Sequence, residues 1–212
     1  EAKKHNRFND FVPLLTKVVD LKRQEARALC PPGGDLYDAL LDEYEVGMKA
    51  SDVDALFSAL EPPLVQLLQE IAAKGPVPDP LAGRRFDVAR QKIACELVAG
   101  WLGYDFHRGR LDESSHPFSS TLGLGDSRIT TRYDHDLRGS LSSTMHEVGH
   151  ALYEQGLDPA HHGTPVGEAR MLGLHESQSR LWENAVGRSK AFWQHGLPVL
   201  GGLFRDSLEG LS

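Results

Sequence analysis

Cysteine is scarce in this sequence, with 2 among 212 residues. Two cysteines are too few to hold a disulfide-rich domain together, and they suit a reducing compartment, so we expect a cytoplasmic protein. Cys95 lies beside Ala94 and close to Ile93. That setting is typical of a small buried side chain and not of a reactive thiol.

Long apolar segments and an excess of positive charge are missing too. No stretch of about 20 apolar residues is present to span a bilayer. Residues 1–6 are polar, unlike the apolar region of a signal peptide. Lys and Arg number 23 against 30 Asp and Glu, whereas a nucleic-acid surface requires a basic excess. With 40% hydrophobic residues, the composition predicts a soluble globular chain whose partners are neither membranes nor nucleic acids.

The most informative segment present is His146-Glu-Val-Gly-His150. In an α-helix, residues four apart lie on one face, so both imidazoles can bind one metal ion. Glu147 would lie beside that ion, where it could take a proton from a water and later deliver it to the leaving amine. The pattern is typical of zinc peptidases and predicts peptide hydrolysis.

The flanking residues predict that this motif is helical. Apolar residues recur at helical spacing, at Leu141, Met145, Val148 and Leu152, and both histidines fall off that stripe. Gly and Ser residues between positions 139 and 143 are candidates for the helix start, and Gly156 for its end after Gln155. Gly149 inside the helix costs about 1 kcal/mol relative to Ala, so we expect another backbone to approach closely there.

The third metal ligand must come from another element, because a catalytic zinc usually has three protein ligands and one water. Our candidate is Glu176, in a second predicted helix over residues 168–184 that has apolar residues available for the core. Glu176 shares a face with Ser179, Arg180 and Glu183, so a solvated polar stripe is the alternative interpretation.

Four short motifs follow one another along the chain: His116-Pro-Phe118, Asp126-Ser-Arg-Ile-Thr-Thr131, His146-Glu-Val-Gly-His150 and His175-Glu-Ser-Gln178. Their order and spacing closely resemble the carboxypeptidase Taq family of thermostable metallocarboxypeptidases. The resemblance extends through residues 37–44 and 180–184, so it covers nearly the whole chain.

This resemblance implies a function and a set of ligands. By position, His146, His150 and Glu176 bind the metal, and Glu147 is the general base and acid, in agreement with the interpretation from the residues themselves. The implied activity is release of C-terminal amino acids from peptides with a free C-terminus. Zn²⁺ is the expected metal, with Co²⁺ or Mn²⁺ as substitutes. Homodimers are the implied assembly.

Family members are much longer than this chain, and the resemblance places it in their middle. Motifs that follow in the family supply an Arg for the substrate's C-terminal carboxylate and a His and a Tyr near the oxyanion. None of them is found in these 212 residues. We therefore expect a fragment of a longer enzyme, and the direction of cleavage rests on the resemblance alone.

Periodicity predicts a mainly α fold. We expect one catalytic region over residues 1–212, with helices over 1–103, a strand and loop segment over 104–136, and the zinc-binding helices over 137–212. β-branched residues between positions 127 and 133 predict a strand. The expected architecture is a helical metallopeptidase scaffold with a small antiparallel β-sheet beside the zinc helix.

The predicted strand over residues 127–133 is our candidate for the edge that holds an extended peptide, with a purely structural hairpin as the alternative. The candidate substrate-binding residues are His116, Arg128 and Thr130. His116 precedes a proline and is therefore extended or in a turn. Arg128 can grip a carboxylate with two N–H groups, although an ion pair with Asp126 would explain it as well.

Other functions would use the same residues. An endopeptidase or an aminopeptidase could share the ligands and would differ in its products. An inactive or non-catalytic metal-binding helical fragment is another alternative, although a structural zinc usually has four ligands that include Cys, and none lies near this motif. The alternative that we favour least is a helical interaction protein in which the motif arose by chance.

Overall fold

The structure is a computed structural model that describes residues 2–210. It forms two compact units, which divide between Pro76 and Val77. Within the described residues, no helix is both long and apolar enough to cross a membrane.

Three helices build the first unit: α1 (Phe8–Leu29), α2 (Leu36–Leu41) and α3 (Ala50–Ala73). Asp35 begins α2, because its side chain accepts hydrogen bonds from the first backbone N–H groups of that helix. The carboxylate of Asp38 accepts a hydrogen bond from the N–H of Ala50 at 2.7 Å, which joins α2 to the start of α3. Pro62 and Pro63 lie inside α3, and each lacks the backbone N–H that would bond to the preceding turn of the helix.

The second unit combines helices with a small sheet. Its elements are α4 (Val88–Leu102), β1 (Leu111–Glu113), β2 (Phe118–Gly123), β3 (Asp126–Thr131), α5 (Leu137–Gln155), α6 (Leu172–Arg180), α7 (Lys190–Leu203) and α8 (Arg205–Leu208). Short 3-10 turns lie at Phe106–Arg108, Pro159–His161 and Pro165–Gly167, and a π-helical turn, Leu181–Val186, extends α6. The predicted mainly helical class is confirmed.

The sheet is mixed, with strand order β1-β3-β2. β2 and β3 form an antiparallel hairpin, in which Phe118 faces Thr130. β1 runs parallel to β3, with Leu111 facing Ile129. The expected antiparallel sheet is therefore corrected to a mixed one. The reason is that β3 lies between β1 and β2. The chain reverses direction after β1 and again after β2, so β3 runs in the same direction as β1.

The core of the second unit lies where α4, α5 and the sheet meet. Val98 of α4, Ile129 of β3 and Val148 of α5 are fully buried, and Met145 lies nearly buried beside them. The predicted apolar stripe of α5 therefore packs inward. This packing fixes the helix that carries both histidines of the motif.

A buried polar side chain joins α4 to α5. Gln91 is fully buried, and its amide nitrogen donates to the backbone carbonyls of Phe86 and Asp134. Its amide oxygen accepts a hydrogen bond from Ser140 at 2.7 Å. Because buried polar groups need partners, this network specifies how α4 and α5 align.

The boundaries of the two site helices differ partly from those predicted. α5 begins at Leu137, before the predicted Gly and Ser residues, because the Asp136 side chain caps it. Its predicted end at Gln155 is confirmed. α6 begins at Leu172, four residues after the predicted start at position 168.

Candidate metal centre

α5 presents two imidazoles on one side. His146 and His150 are one turn apart, with ring centroids separated by 4.9 Å, and both are partly buried. The opposite face of α5 carries the packed apolar residues, so the position of both rings follows from the burial of the helix.

α6 supplies the carboxylate through a close helix–helix contact at Gly149. A Cβ atom on Gly149 would lie 2.5 Å from the Cα of Ser179 and 2.7 Å from the carbonyl oxygen of Gln178. The predicted close approach of another backbone at Gly149 is confirmed. This contact brings Glu176, three residues before Ser179, to the histidines.

Three ligand atoms converge between the helices. Nε2 of His146 lies 3.3 Å from Nε2 of His150, and Oε2 of Glu176 lies 3.6 Å and 3.4 Å from these two nitrogens. A tetrahedral ion with bonds of about 2.0–2.1 Å separates its ligand atoms by about 3.3–3.4 Å. The two imidazoles and the carboxylate therefore fit a divalent cation, and the three residues could bind one.

Glu147 lies beside this group and is only 6% exposed. Burial raises the pKa of its carboxyl to about 7, and the nearby carboxylates of Glu176 and Glu183 contribute in the same direction. A carboxyl with a pKa near neutrality can both accept and return a proton, which is what a general base and acid requires.

Burial has the opposite effect on the imidazole of His150. It lowers the pKa of this side chain to about 4, with further contributions from His175 and His146. At neutral pH His150 is therefore uncharged, which is the form that binds a metal. The pKa of Glu176 is lowered: burial raises it, but His146 and the hydrogen bonds from Ser179 and Arg180 outweigh burial.

The other ring nitrogen of each histidine also has a partner. Nδ1 of His146 lies 3.0 Å from Oε2 of Glu183, and Nδ1 of His150 lies 2.5 Å from Nδ1 of His175. Nε2 of His175 in turn lies 2.9 Å from Oε1 of Glu154. Glu183, His175 and Glu154 were not predicted as site residues from the sequence, although Glu183 shares the predicted face of Glu176.

A cavity of about 460 Å³ opens beside the three ligands. Its lining residues are Phe118, Ser119, Thr121, Glu147, His150, Glu154, Leu172, His175 and Glu176. The β2 residues come from an outer strand of the sheet, so this strand, the buried carboxyl of Glu147 and two of the three candidate ligands share one cavity.

The strand that was predicted to bind the peptide along its edge is not an edge strand. Residues 126–131 form β3, which is paired on both sides by β1 and β2. Its main-chain groups are therefore used within the sheet and cannot bind a peptide. β1 and β2 are the two edge strands, and β2 is the one that borders the cavity.

The three candidate substrate-binding residues do not line this cavity. Arg128 is paired with Asp126 through two hydrogen bonds of 2.8 Å, which is the alternative interpretation of that residue. The hydroxyl of Thr130 forms a hydrogen bond with the hydroxyl of Ser114, which follows β1, and the two oxygens are 2.7 Å apart. His116 is exposed, and its carbonyl accepts a hydrogen bond from Ser114.

Comparison with known proteins agrees with this site. The sequence profile of the family described as carboxypeptidase Taq (M32) metallopeptidase matches residues 1–212. The chain belongs to this family. The predicted resemblance is thus confirmed, and the helices that carry the candidate ligands are part of an M32 fold.

Relatives within the M32 family are similar over nearly all of this chain. The thermostable carboxypeptidase 1 of Thermus thermophilus is 46% identical over 209 residues, which cover 93% of this chain and 41% of that protein. Carboxypeptidase 1 of Bacillus subtilis is 41% identical over 197 residues, which cover 91% and 39%. The chain therefore spans about two fifths of the length of these relatives.

A solved structure gives the same correspondence. The crystal structure of the M32 carboxypeptidase from Deinococcus radiodurans is 45% identical to this chain and superposes with a TM-score of 0.88. The match covers 100% of this chain and 43% of that structure.

Proposed function

We propose that this chain is the metal-binding part of the catalytic region of a metallocarboxypeptidase, which releases C-terminal amino acids from peptides with a free C-terminus. One observation carries the proposal: three ligand atoms converge within 3.6 Å of one another beside a buried carboxyl, Glu147. Membership of the M32 family supplies the class of reaction.

In this proposal His146, His150 and Glu176 hold the metal. Zn²⁺ is the proposed ion, because two imidazoles and one carboxylate are the ligands of many catalytic zinc sites. Co²⁺ or Mn²⁺ would substitute, because selectivity among such ions follows geometry and availability as much as ligand type. When bound, the metal supplies Lewis acidity, which activates a water molecule and polarises the carbonyl of the scissile bond.

Glu147 moves the proton. Its carboxylate accepts a proton from the attacking water and then delivers it to the nitrogen of the leaving amino acid. The pKa of about 7 supports both steps at neutral pH. Burial also keeps bulk water from competing for the carboxylate.

The peptide lies along β2. The free edge of β2 borders the cavity that Glu147 and His150 line, and an exposed strand edge binds an extended peptide through main-chain hydrogen bonds. We retain His116, Arg128 and Thr130 as proposed substrate contacts, on the support of the family motifs that contain them.

We further propose a homodimer in the cytoplasm, in which both compact units belong to one catalytic region. The homodimer rests on the resemblance to the family. The compartment rests on Cys30 and Cys95, both of which are free, as expected where the environment is reducing.

The test measures metal content and peptide cleavage for the protein and for its Glu147→Gln variant. The substrate is a blocked dipeptide with a free C-terminus, and the products are separated by mass. We expect equal metal content in both proteins, and release of the C-terminal residue by the parent alone. Glu96→Gln, which changes an exposed carboxylate on α4, is the matched control and should cleave like the parent.

Each alternative function has its own result. On a longer peptide, internal fragments would indicate an endopeptidase, and release of the N-terminal residue an aminopeptidase. Metal binding without cleavage of any peptide would indicate a non-catalytic metal-binding protein. Absence of metal from the parent would contradict the proposed metal site itself.

A further inference from the structure

Both histidines of the candidate metal centre are tied, through their second nitrogen, to a carboxylate. For His146 the connection is direct, to Glu183 at 3.0 Å. For His150 it passes through His175, whose Nε2 lies 2.9 Å from Glu154. The two connections come from different elements, since Glu154 is on α5 itself and Glu183 lies on the π-helical turn after α6.

With neutral imidazoles, the carboxylate at the end of each connection determines the direction of every hydrogen bond in it. A carboxylate can only accept, so Nε2 of His175 donates to Glu154. A neutral imidazole that donates through one nitrogen accepts through the other, so Nδ1 of His175 accepts from Nδ1 of His150. By the same argument, Nδ1 of His146 donates to Glu183.

These hydrogen bonds determine whether Nε2 of His146 and Nε2 of His150 carry a proton. With both protons on Nδ1, Nε2 of His146 and Nε2 of His150 each carry a lone pair. These two atoms lie 3.3 Å apart, beside the carboxylate of Glu176. Their contact is then not a hydrogen bond, and three electron-pair donors face one point, as a cation requires.

The side chain of Glu183 is fixed by contacts of its own, so it can orient the imidazole of His146. Its carboxylate accepts a hydrogen bond from Ser142 at 2.9 Å and from Arg180 at 3.3 Å, and its side chain is only 13% exposed. The π-helical turn shifts the register of the backbone by one residue, which is a frequent device at functional sites. The partner of His146 is thus built into the fold.

We propose that Glu183 and the Glu154–His175 pair are positioning residues, which keep His146 and His150 in the tautomers whose Nε2 lone pairs face the metal. The inference rests on the proposed function, because it assigns these residues to the same metal. It assigns a role to three residues outside the ligand set, and predicts that the site is preformed before the metal binds.

The first test observes the tautomers directly, in the metal-free protein labelled with ¹⁵N at histidine. Two-bond ¹⁵N–¹H correlation spectra distinguish the Nδ1–H form from the Nε2–H form, and His146→Gln and His150→Gln assign the signals. We expect the Nδ1–H form at both positions in the parent. An amide can donate as well as accept, so the Nε2–H form should appear at His146 in Glu183→Gln and at His150 in Glu154→Gln.

The second test measures Co²⁺ affinity by competition with a chelator, together with the visible absorption of the Co²⁺ protein. We expect affinity to fall about 10- to 100-fold in Glu183→Gln and in Glu154→Gln. The absorption bands should move, because the ligands are less well oriented. Glu96→Gln should bind within twofold of the parent, and the melting temperatures of the metal-free proteins show that all variants fold.

The two tests separate this inference from the proposed function. A parent that binds no metal contradicts the proposed function, while the tautomers of the metal-free protein still decide the inference. A proton on Nε2 of His146 or His150 in the parent overturns the inference, as do unchanged tautomers in both variants. Co²⁺ affinities within twofold of the parent in both variants also overturn it.

Discussion

Gly149 is the residue on which the contact between α5 and α6 depends. Its missing side chain leaves room for the backbone at Ser179 and Gln178, and a Cβ atom at this position would lie 2.5 Å from the nearest backbone atom. Glycine costs about 1 kcal/mol of helix propensity relative to alanine. Here that cost is offset by the approach of the helix that carries Glu176.

Gly149→Ala should therefore weaken both folding and metal binding. The added methyl group must push α6 away, and overpacking of this kind costs about 1–3 kcal/mol. We expect the free energy of unfolding in urea to fall by that amount, and the affinity for Zn²⁺ to fall with it.

Gly139→Ala is the matched control for this change. Gly139 lies on the same helix, and apart from its chain neighbours and the nearby backbone of that helix, no described atom is within 4 Å of the position of its Cβ. That variant should be as stable as the parent or more stable, because alanine favours the helix. If Gly149→Ala behaved like Gly139→Ala, the close contact would not matter for stability.

The two cysteines illustrate how burial sets reactivity. Cys95 is fully buried, and burial raises the pKa of its thiol to about 11. Because the thiolate is the reactive form, Cys95 should be inert at pH 8. Cys30 lies at the end of α1 and is partly exposed.

A thiol reagent should accordingly modify one cysteine in the native protein at pH 8 and two after unfolding in urea. Cys30→Ser should abolish the native reaction and leave the reaction of the unfolded protein at one. Modification of two cysteines without unfolding would contradict the burial of Cys95. The measurement is the absorbance of the released chromophore.

Among the elements, β2 has a free edge, and this edge borders the cavity. The N–H of Phe118 faces β3, since it donates to Oγ1 of Thr130 at 3.0 Å. Backbone groups of a strand alternate between its two sides. The N–H of the next residue, Ser119, therefore belongs to the free edge, and Ser119 lines the cavity.

Ser119→Pro tests whether this edge binds the peptide. Proline removes one N–H and is tolerated where that group does not belong to the ladder. We expect KM for a peptide substrate to rise about 5- to 10-fold, as for the loss of one hydrogen bond of about 1–1.5 kcal/mol. The melting temperature should change little.

Ser120→Pro is the contrast for this experiment. Ser120 is two residues after Phe118, whose N–H points toward β3, so by the same alternation the N–H of Ser120 also points toward β3. This variant should lower the melting temperature. An unchanged KM in a folded Ser119→Pro protein would show that the peptide does not use this edge.

Across the molecule as a whole, the proposed metal links α5 to α6 in the second unit. A ligand that binds only the folded state adds RT ln(1 + [L]/Kd) to stability, which is about 2.7 kcal/mol at a hundredfold excess over Kd. Glu176 is 26 residues after His150, so the proposed metal would also hold together the two ends of the segment between them.

Removal of metal by a chelator should therefore lower the melting temperature, and added Zn²⁺ should restore it. In Glu176→Gln the response to chelator should largely disappear, because the third ligand is lost. The control is again Glu96→Gln, which should respond like the parent. Calorimetry at fixed protein concentration gives the midpoints, and an unchanged midpoint in the parent would contradict a metal that stabilises the fold.

The helical class, the family and the three candidate ligands could all be predicted from the amino-acid sequence. Spacing within one helix decides which side chains share a face, so His146 and His150 follow from local geometry alone. The apolar stripe of α5 and its end at Gln155 follow from the same periodicity. The close backbone contact could be predicted at Gly149, because glycine is otherwise unfavourable inside a helix.

Tertiary packing was needed to establish which strands are edges and which groups contact the candidate ligands. The order β1-β3-β2 depends on how the chain crosses the sheet, and strand propensity carries no information about that. Glu183 lies on the π-helical turn that follows α6 and contacts His146, and His175 contacts Glu154 because α6 packs on α5. These contacts join residues 21 and 37 positions apart, and packing, not local spacing, brings them together.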